Sequence, residues 1–190
     1  MLINPRTVTY IIEALWLILA LYWLLNSVGN KRTVYKQPRI QRLAHLAVFL
    51  GVIFLIVRTP ALERPIFRRT ALTQIAGIFL CAAGVAFAIW ARRVLGSNWS
   101  GIVTLKENHE LIRRGPYRIV RHPIYTGIIL AALGNVLATL PTVQGPLCVL
   151  AVIIGLRLKS LQEERILIGQ FPDAYPQYQR EVRAIIPFVY

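Results

Sequence analysis

The sequence predicts an all-α fold: an integral membrane helical bundle of about five transmembrane helices, closed by a C-terminal cytoplasmic or interfacial helical region. Three observations carry that prediction. The chain of 190 residues is 56% hydrophobic and only 16% charged, more apolar surface than a soluble domain of this size can hide. The apolar residues gather in long runs, and the charges fall between the runs. The net charge of +14 therefore sits at membrane surfaces, where it suits membrane lipids. No basic face on a soluble module can be drawn, so nucleic acid is not an expected partner.

The first run, about Thr7 to Val28, is long enough to cross a hydrocarbon core about 30 Å thick. It is too long for a secretory signal and lacks a small-residue cleavage site, so a retained span is expected. Glu13 lies inside it, and an ionisable residue at such depth is a functional-site hypothesis by default; the plainer reading has it snorkel to the near interface. The second run, about Leu43 to Val57, is short, and flanking residues complete it. The third, about Ala71 to Ala91, is again of spanning length. The fourth and fifth, about Pro123 to Leu140 and Pro146 to Leu158, are joined only by Pro141-Thr142-Val143-Gln144-Gly145. So short a link makes them an antiparallel helical hairpin. Cys81 and Cys148 both lie inside apolar runs, so neither a disulfide nor a metal site is expected. The chain divides into an N-terminal two-span region, 1–70, and a core, 71–190, that carries the motifs below.

Loop charges orient this arrangement. Lys31, Arg32, Lys36, Arg39 and Arg42 follow the first run; Arg92, Arg93, Lys106, Arg113, Arg114, Arg118 and Arg121 follow the third; Arg157, Lys159, Arg165, Arg180 and Arg183 follow the fifth. With five crossings all of these share one side. The other side holds only Arg6, Arg58, Arg64, Arg68 and Arg69. The positive-inside rule then places the N-terminus outside and the C-terminus in the cytoplasm.

Two stretches carry chemistry. GPYRIVRHPIYTGIIL, Gly115 to Leu130, is basic and aromatic in its first half and apolar in its second. Gly115-Pro116-Tyr117 reads as a tight turn. Pro123 is pre-organised for a helix start, which makes His122 a cap-like residue with its ring nitrogens toward the aqueous side. With Tyr125 and Gly127 on the first turn, these form a polar pocket mouth. The helix N-terminus adds positive potential there, suited to a carboxylate or to ribose hydroxyls. The second stretch runs from Leu156 to Val182. Arg157 and Glu164 are seven residues apart, nearly on one helix face and about 10 Å apart along the axis, so they can flank a ligand; Glu163 points roughly 100° away. Tyr175, Tyr178 and Val182 at helical spacing read as an interfacial helix anchored by aromatics. No Gly-rich dinucleotide fingerprint follows a strand and no Walker A sequence is present, so a nucleotide-like cofactor would need another kind of site.

The pattern Gly115-Pro116-Tyr117-Arg118-x-x-Arg121-His122-Pro123-x-Tyr125-x-Gly127 resembles the signature of the isoprenylcysteine carboxyl methyltransferase family. Glu163-Glu164, Phe171, Tyr175, Tyr178 and Ile186-Pro187-Phe188 resemble its C-terminal pattern. Phospholipid N-methyltransferases share the Arg-His-Pro and Glu-Glu elements, so the resemblance reaches a wider superfamily. It implies S-adenosylmethionine (SAM) as cofactor, in a non-Rossmann site on the cytoplasmic face. It nominates Tyr117, Arg121, His122, Tyr125 and Glu163 for the cofactor. It nominates Arg157 and Glu164 for the acceptor side, with Lys159 competing for the place of Arg157. The implied acceptor is a lipophilic substrate reached from the bilayer, a prenylated carboxylate or, in the alternative, a lipid amine. A more distant alternative is a membrane reductase using NADPH, to which no dedicated feature points.

Overall fold

In the computed structural model the chain is a bundle of long helices. The structure describes residues 3–26, 33–36, 39–96, 104–106 and 111–187. Helices α1 (Pro5–Leu25), α2 (Arg39–Arg58), α3 (Ala71–Leu95), α4 (Pro123–Thr139) and α5 (Gln144–Gln170) match the five apolar runs in order, and a short α6 (Ala174–Glu181) follows. Helices α1, α3 and α5 are long and apolar enough to cross a membrane; α4 and the Leu46–Arg58 part of α2 are shorter apolar helices. The all-α membrane expectation is borne out. One small addition is an antiparallel ribbon of β1 (Thr33–Lys36) and β2 (Thr104–Lys106), which ties the segments after α1 and α3 together. β-branched Thr33 and Val34 favour such pairing.

Helix α5 outruns its apolar segment and carries the Arg157–Glu164 stretch that the spacing places on one helix. The fifth apolar run ends near Leu158, but the helix continues to Gln170. The residues between are strong helix formers, with no Gly or Pro before Gly169. The polar half therefore stands on the same rigid rod as the apolar half.

Helices α3 and α4 form the tightest pair, and small residues make it. Gly77, Cys81, Gly84 and Ala88 alternate at spacings of four and three along α3; Gly127, Ala131, Gly134 and Ala138 do the same along α4. The helices run antiparallel, so Gly77 meets Gly134 and Ala138, and Gly84 meets Gly127 and Ala131. A Cβ on Gly84 would lie 2.4 Å from the Ala131 backbone nitrogen and 2.6 Å from the Gly127 carbonyl oxygen. The backbones thus touch along this seam, the arrangement small residues permit inside lipid. Val8, Ile12 and Leu19 of α1 pack onto the same core.

Side chains fix the two ends. At one end buried Gln74 accepts from the Ile3 N–H and donates to its carbonyl, at 3.0 and 3.1 Å. Gln144 donates to Val57 O at 3.1 Å, which ties the start of α5 to the end of α2. At the other end buried Arg92 donates to the carbonyls of Asn26 and Gly96, joining the ends of α1 and α3. That second end also gathers the start of α4, the polar half of α5 and α6.

Candidate active site

Every residue nominated from the sequence for the cofactor lies at this second end. The segment before α4 sets the first wall. Gly115 takes φ of 59°, a conformation that suits glycine, and the turn Gly115–Arg118 follows as one 3-10 turn. It buries Pro116 and Tyr117. The Tyr178 hydroxyl donates to the Tyr117 carbonyl. Burial pushes the phenols of Tyr117 and Tyr178 well above their ordinary range, so both stay protonated.

His122 is the residue that caps α4, with Pro123 behind it, but its side chain makes no cap bond. The ring is buried, 8% exposed, and turns inward rather than toward water as expected. The reason is the glutamate pair on α5. His122 Nε2 lies 3.0 Å from Glu164 Oε1, and Nδ1 lies 3.6 Å from Glu163 Oε2. The Tyr125 ring stacks on the imidazole, 5.4 Å between centroids and 4° between planes. The Tyr125 hydroxyl donates to Glu163 Oε1 at 2.6 Å. Lys159 lies over the other ring system, 5.5 Å from the Tyr125 centroid.

Arg121 and Glu164 form the centre of the cluster. Arg121 Nε and Nη2 donate to Glu164 Oε1 at 3.2 and 3.0 Å. Arg121 Nη1 donates to the carbonyls of Gln179 and Val182, which are left without helical partners at the end of α6. Gln179 Nε2 donates to Glu164 Oε2 at 3.0 Å. Glu164 is therefore buried, with side-chain exposure of 7%, and both its oxygens are engaged; Glu163, at 22%, is the more open of the pair.

The C-terminal tail closes the cup. The N–H groups of Arg121 and His122 donate to the carbonyls of Arg183 and Ala184, both at 2.8 Å. Thr126 Oγ1 donates to Ile185 O. Ala184 and Ile185 then wedge against Ile129 of α4 and Val152, Ile153 and Leu156 of α5. Tyr175 and Tyr178 are 1% and 2% exposed, so these aromatics anchor α6 to the protein and not to the interface. Phe188 of the motif lies outside the described residues.

Arg157 stands apart. Its Nη1 donates to Ser160 Oγ at 3.2 Å, while that hydroxyl donates back to the Arg157 carbonyl. Arg157 and Glu164 make no contact among the described pairs; Ser160 occupies the intervening turn. Glu13 is exposed on α1, among the lipid-facing Tyr10, Ile11 and Leu17 and near the end of the bundle opposite the cluster. An open groove of about 450 Å³ is lined by Leu111, Ile112, Arg113, Arg114 and Arg118. Its Arg113 pairs with Glu181 and lies 5.1 Å over the Tyr178 ring, and its Arg114 carbonyl accepts from the Tyr117 N–H at 3.2 Å. The buried, mutually paired titratable groups gather at the two carboxylates and not along this groove.

Sequence reasoning missed Gln179, Thr126 and the backbone carbonyls of the tail. The carbonyls have no side-chain signature. Gln179 follows Tyr178 directly, and helical register with Tyr175 is the one signal that could have found it.

A polytopic α-helical membrane protein with a carboxylate-lined polar cup at one end of the bundle is the class that fold and site define. Residues 76–169 match the family model of the isoprenylcysteine carboxyl methyltransferase (ICMT) family, so the resemblance carried by the motifs is borne out. Two similar proteins are protein-S-isoprenylcysteine O-methyltransferases. That of Schizosaccharomyces pombe is 34% identical over 96 residues, covering 50% of this chain and 41% of its own. That of Tribolium castaneum is 28% identical over 115 residues, covering 60% of this chain and again 41% of its own. The chain thus matches less than half the length of each. The solved structure of a eukaryotic intramembrane Ras methyltransferase, ICMT, aligns with a TM-score of 0.52 at 23% identity, over 80% of this chain and 54% of that one. At that identity the likeness speaks for the fold.

Proposed function

We propose that the chain is a membrane-embedded SAM-dependent methyltransferase whose acceptor is the carboxylate of an isoprenylated cysteine or a similar lipophilic molecule. The observation that carries this reading is the convergence of Tyr117, Arg121, His122, Tyr125, Glu163 and Glu164 at one end of a bundle whose 76–169 segment matches the ICMT family model. The donor set fits SAM. His122 lies between the two carboxylates, with Nε2 3.0 Å from Glu164 Oε1 and Nδ1 3.6 Å from Glu163 Oε2. Glu163, the more exposed of the two, leaves carboxylate charge at the cup to meet a cation. SAM, when bound, supplies an electrophilic methyl group on a cationic sulfonium.

The residues of the chain then bind and orient. Glu163 favours positive charge electrostatically. Tyr125 and Tyr117 form the aromatic walls. Glu164, with both oxygens engaged, acts through Arg121 and His122. Arg157, with Lys159 as the competing cation, holds the acceptor carboxylate by charge-assisted hydrogen bonds. A carboxylate is ionised at neutral pH and needs no base, so most of the rate comes from alignment. The acceptor's lipid tail reaches the site sideways between helices. With the chain taken to cross five times, the excess of Lys and Arg at the cup end supports an N-terminus outside and a cup on the cytoplasmic side. Residues 1–70 then serve acceptor selection, and 71–190 form the transfer core.

The test incubates membranes containing the chain with methyl-labelled SAM. Label in base-labile esters supports the reading, and label in stable amines moves it to the lipid-amine alternative. Absence of SAM binding by calorimetry, in detergent and in lipid, sinks it.

A further inference from the structure

We propose that Gln179 is a positioning residue of this site, fixing through its side-chain amide the oxygen of Glu164 that Arg121 and His122 leave free. The inference rests on the methyltransferase reading above.

The argument is a count of donors. Glu164 Oε1 receives Arg121 Nε, Arg121 Nη2 and His122 Nε2, at 3.2, 3.0 and 3.0 Å. Oε2 receives Gln179 Nε2 at 3.0 Å, its one partner among the described hydrogen bonds. Turning the carboxylate about its terminal bond pulls Oε1 off its three donors, and a donor on Oε2 adds a hold on the second oxygen against the same rotation. The facing of the imidazole follows, because His122 Nε2 is set by Oε1, and Nδ1 is then presented to Glu163. The main chain of Gln179 doubles the link, since its carbonyl accepts from Arg121 Nη1 at 3.1 Å. One residue of α6 thus touches both members of the central ion pair. It sits outside the motif pattern, and it couples the tail to the cup.

The experiment uses the full chain, purified, with Gln179→Met and Gln179→Lys. Met keeps the volume and the backbone carbonyl but removes the amide donor. Lys restores a donor toward Glu164 Oε2. Expected for Gln179→Met is a rise of about tenfold in KM for SAM, with KM for an S-prenylated cysteine unchanged and the melting temperature near wild type. Gln179→Lys returns the SAM value to within about threefold of wild type. An unchanged SAM KM in the Met variant, a parallel rise of both KM values, or failure of Lys to rescue overturns the proposal. Hydrogen exchange reads the same claim without turnover. The Arg121 and His122 amides, which donate to the tail carbonyls, exchange faster in Gln179→Met and recover in Gln179→Lys. If the wild-type chain neither binds SAM nor turns over, the methyltransferase reading fails and the exchange data alone decide; identical exchange in all three proteins overturns the role of Gln179.

Discussion

Helix α4 is held on one side by α3 and on the other by α5, and the two junctions work in opposite ways. Against α3 it presents Gly127, Ala131, Gly134 and Ala138, and the backbones touch. Against α5 it presents Tyr125 and His122, which reach across to Glu163 and Glu164 through long polar side chains. The first junction lies at the depth of lipid, where apolar surface gains nothing from leaving apolar solvent, so close packing must supply the attraction. The second lies at the end of the bundle, where charged groups can enter and can be matched. Together they teach that the seam is a scaffold with no room to move, while the cup is a set of charged and polar groups held to one another by hydrogen bonds.

The seam and the buried carboxylate carry the largest expected effects, and the seam loses the assembled bundle itself. Gly84→Val places a branched side chain where even a Cβ lies 2.4 Å from backbone, and neither helix can yield without leaving the bundle. A loss of about 3 kcal/mol or more is expected, read as failure to recover a monodisperse protein on gel filtration. Gly51→Val is the matched comparison, because a Cβ there meets nothing within 4 Å. If the two variants behave alike, the seam is not what holds α4.

On the other side of α4, Glu164→Ala leaves Arg121 and His122 buried without their shared acceptor. A cost of about 3–5 kcal/mol is expected, with loss of SAM binding. Glu163→Gln should separate from it: little change in melting temperature, and a SAM affinity at least about tenfold weaker. The contrast rests on geometry, since Glu164 has two fully engaged oxygens and Glu163 is partly open. Equal destabilisation by the two variants erases the distinction between a supporting and a contacting carboxylate.

How much of this was legible follows the same division. The five apolar runs read correctly because period and length are local properties, whereas the glutamate pair is nominated through the family resemblance, since spacing alone sets Glu164 beside Arg157 and turns Glu163 away. The pairing of α3 with α4 did not read, although Gly77, Cys81, Gly84 and Ala88 were in plain view. Small residues at spacings of four and three give no hydropathy signal; their meaning appears only when a second helix carries the same rhythm in reverse. The inward turn of His122 was hidden for a different reason. Capping is judged from neighbours in sequence, whereas the partners of this ring lie more than forty residues away.

The smallest effect tests whether the tail belongs to the cup. Tyr178→Phe removes one hydrogen bond, from the hydroxyl to the Tyr117 carbonyl, and keeps the ring that stacks edge-on against Tyr175 at 5.9 Å. About 1 kcal/mol of stability should go. A pH signature accompanies it. Burial raises the Tyr178 phenol more than the nearby Arg121 and Arg113 lower it. A raised phenol contributes stability that is fully present below its ordinary pKa near 10, and that contribution is lost as pH climbs from there toward the folded value. Thermal melts of the wild-type chain should therefore decline above about pH 10, and the decline should be shallower in Tyr178→Phe, which has one fewer buried phenol to ionise. A variant that loses stability without changing the alkaline limb would mean that the Tyr178 hydroxyl reaches water, and that α6 packs on the cup more loosely than its contacts imply.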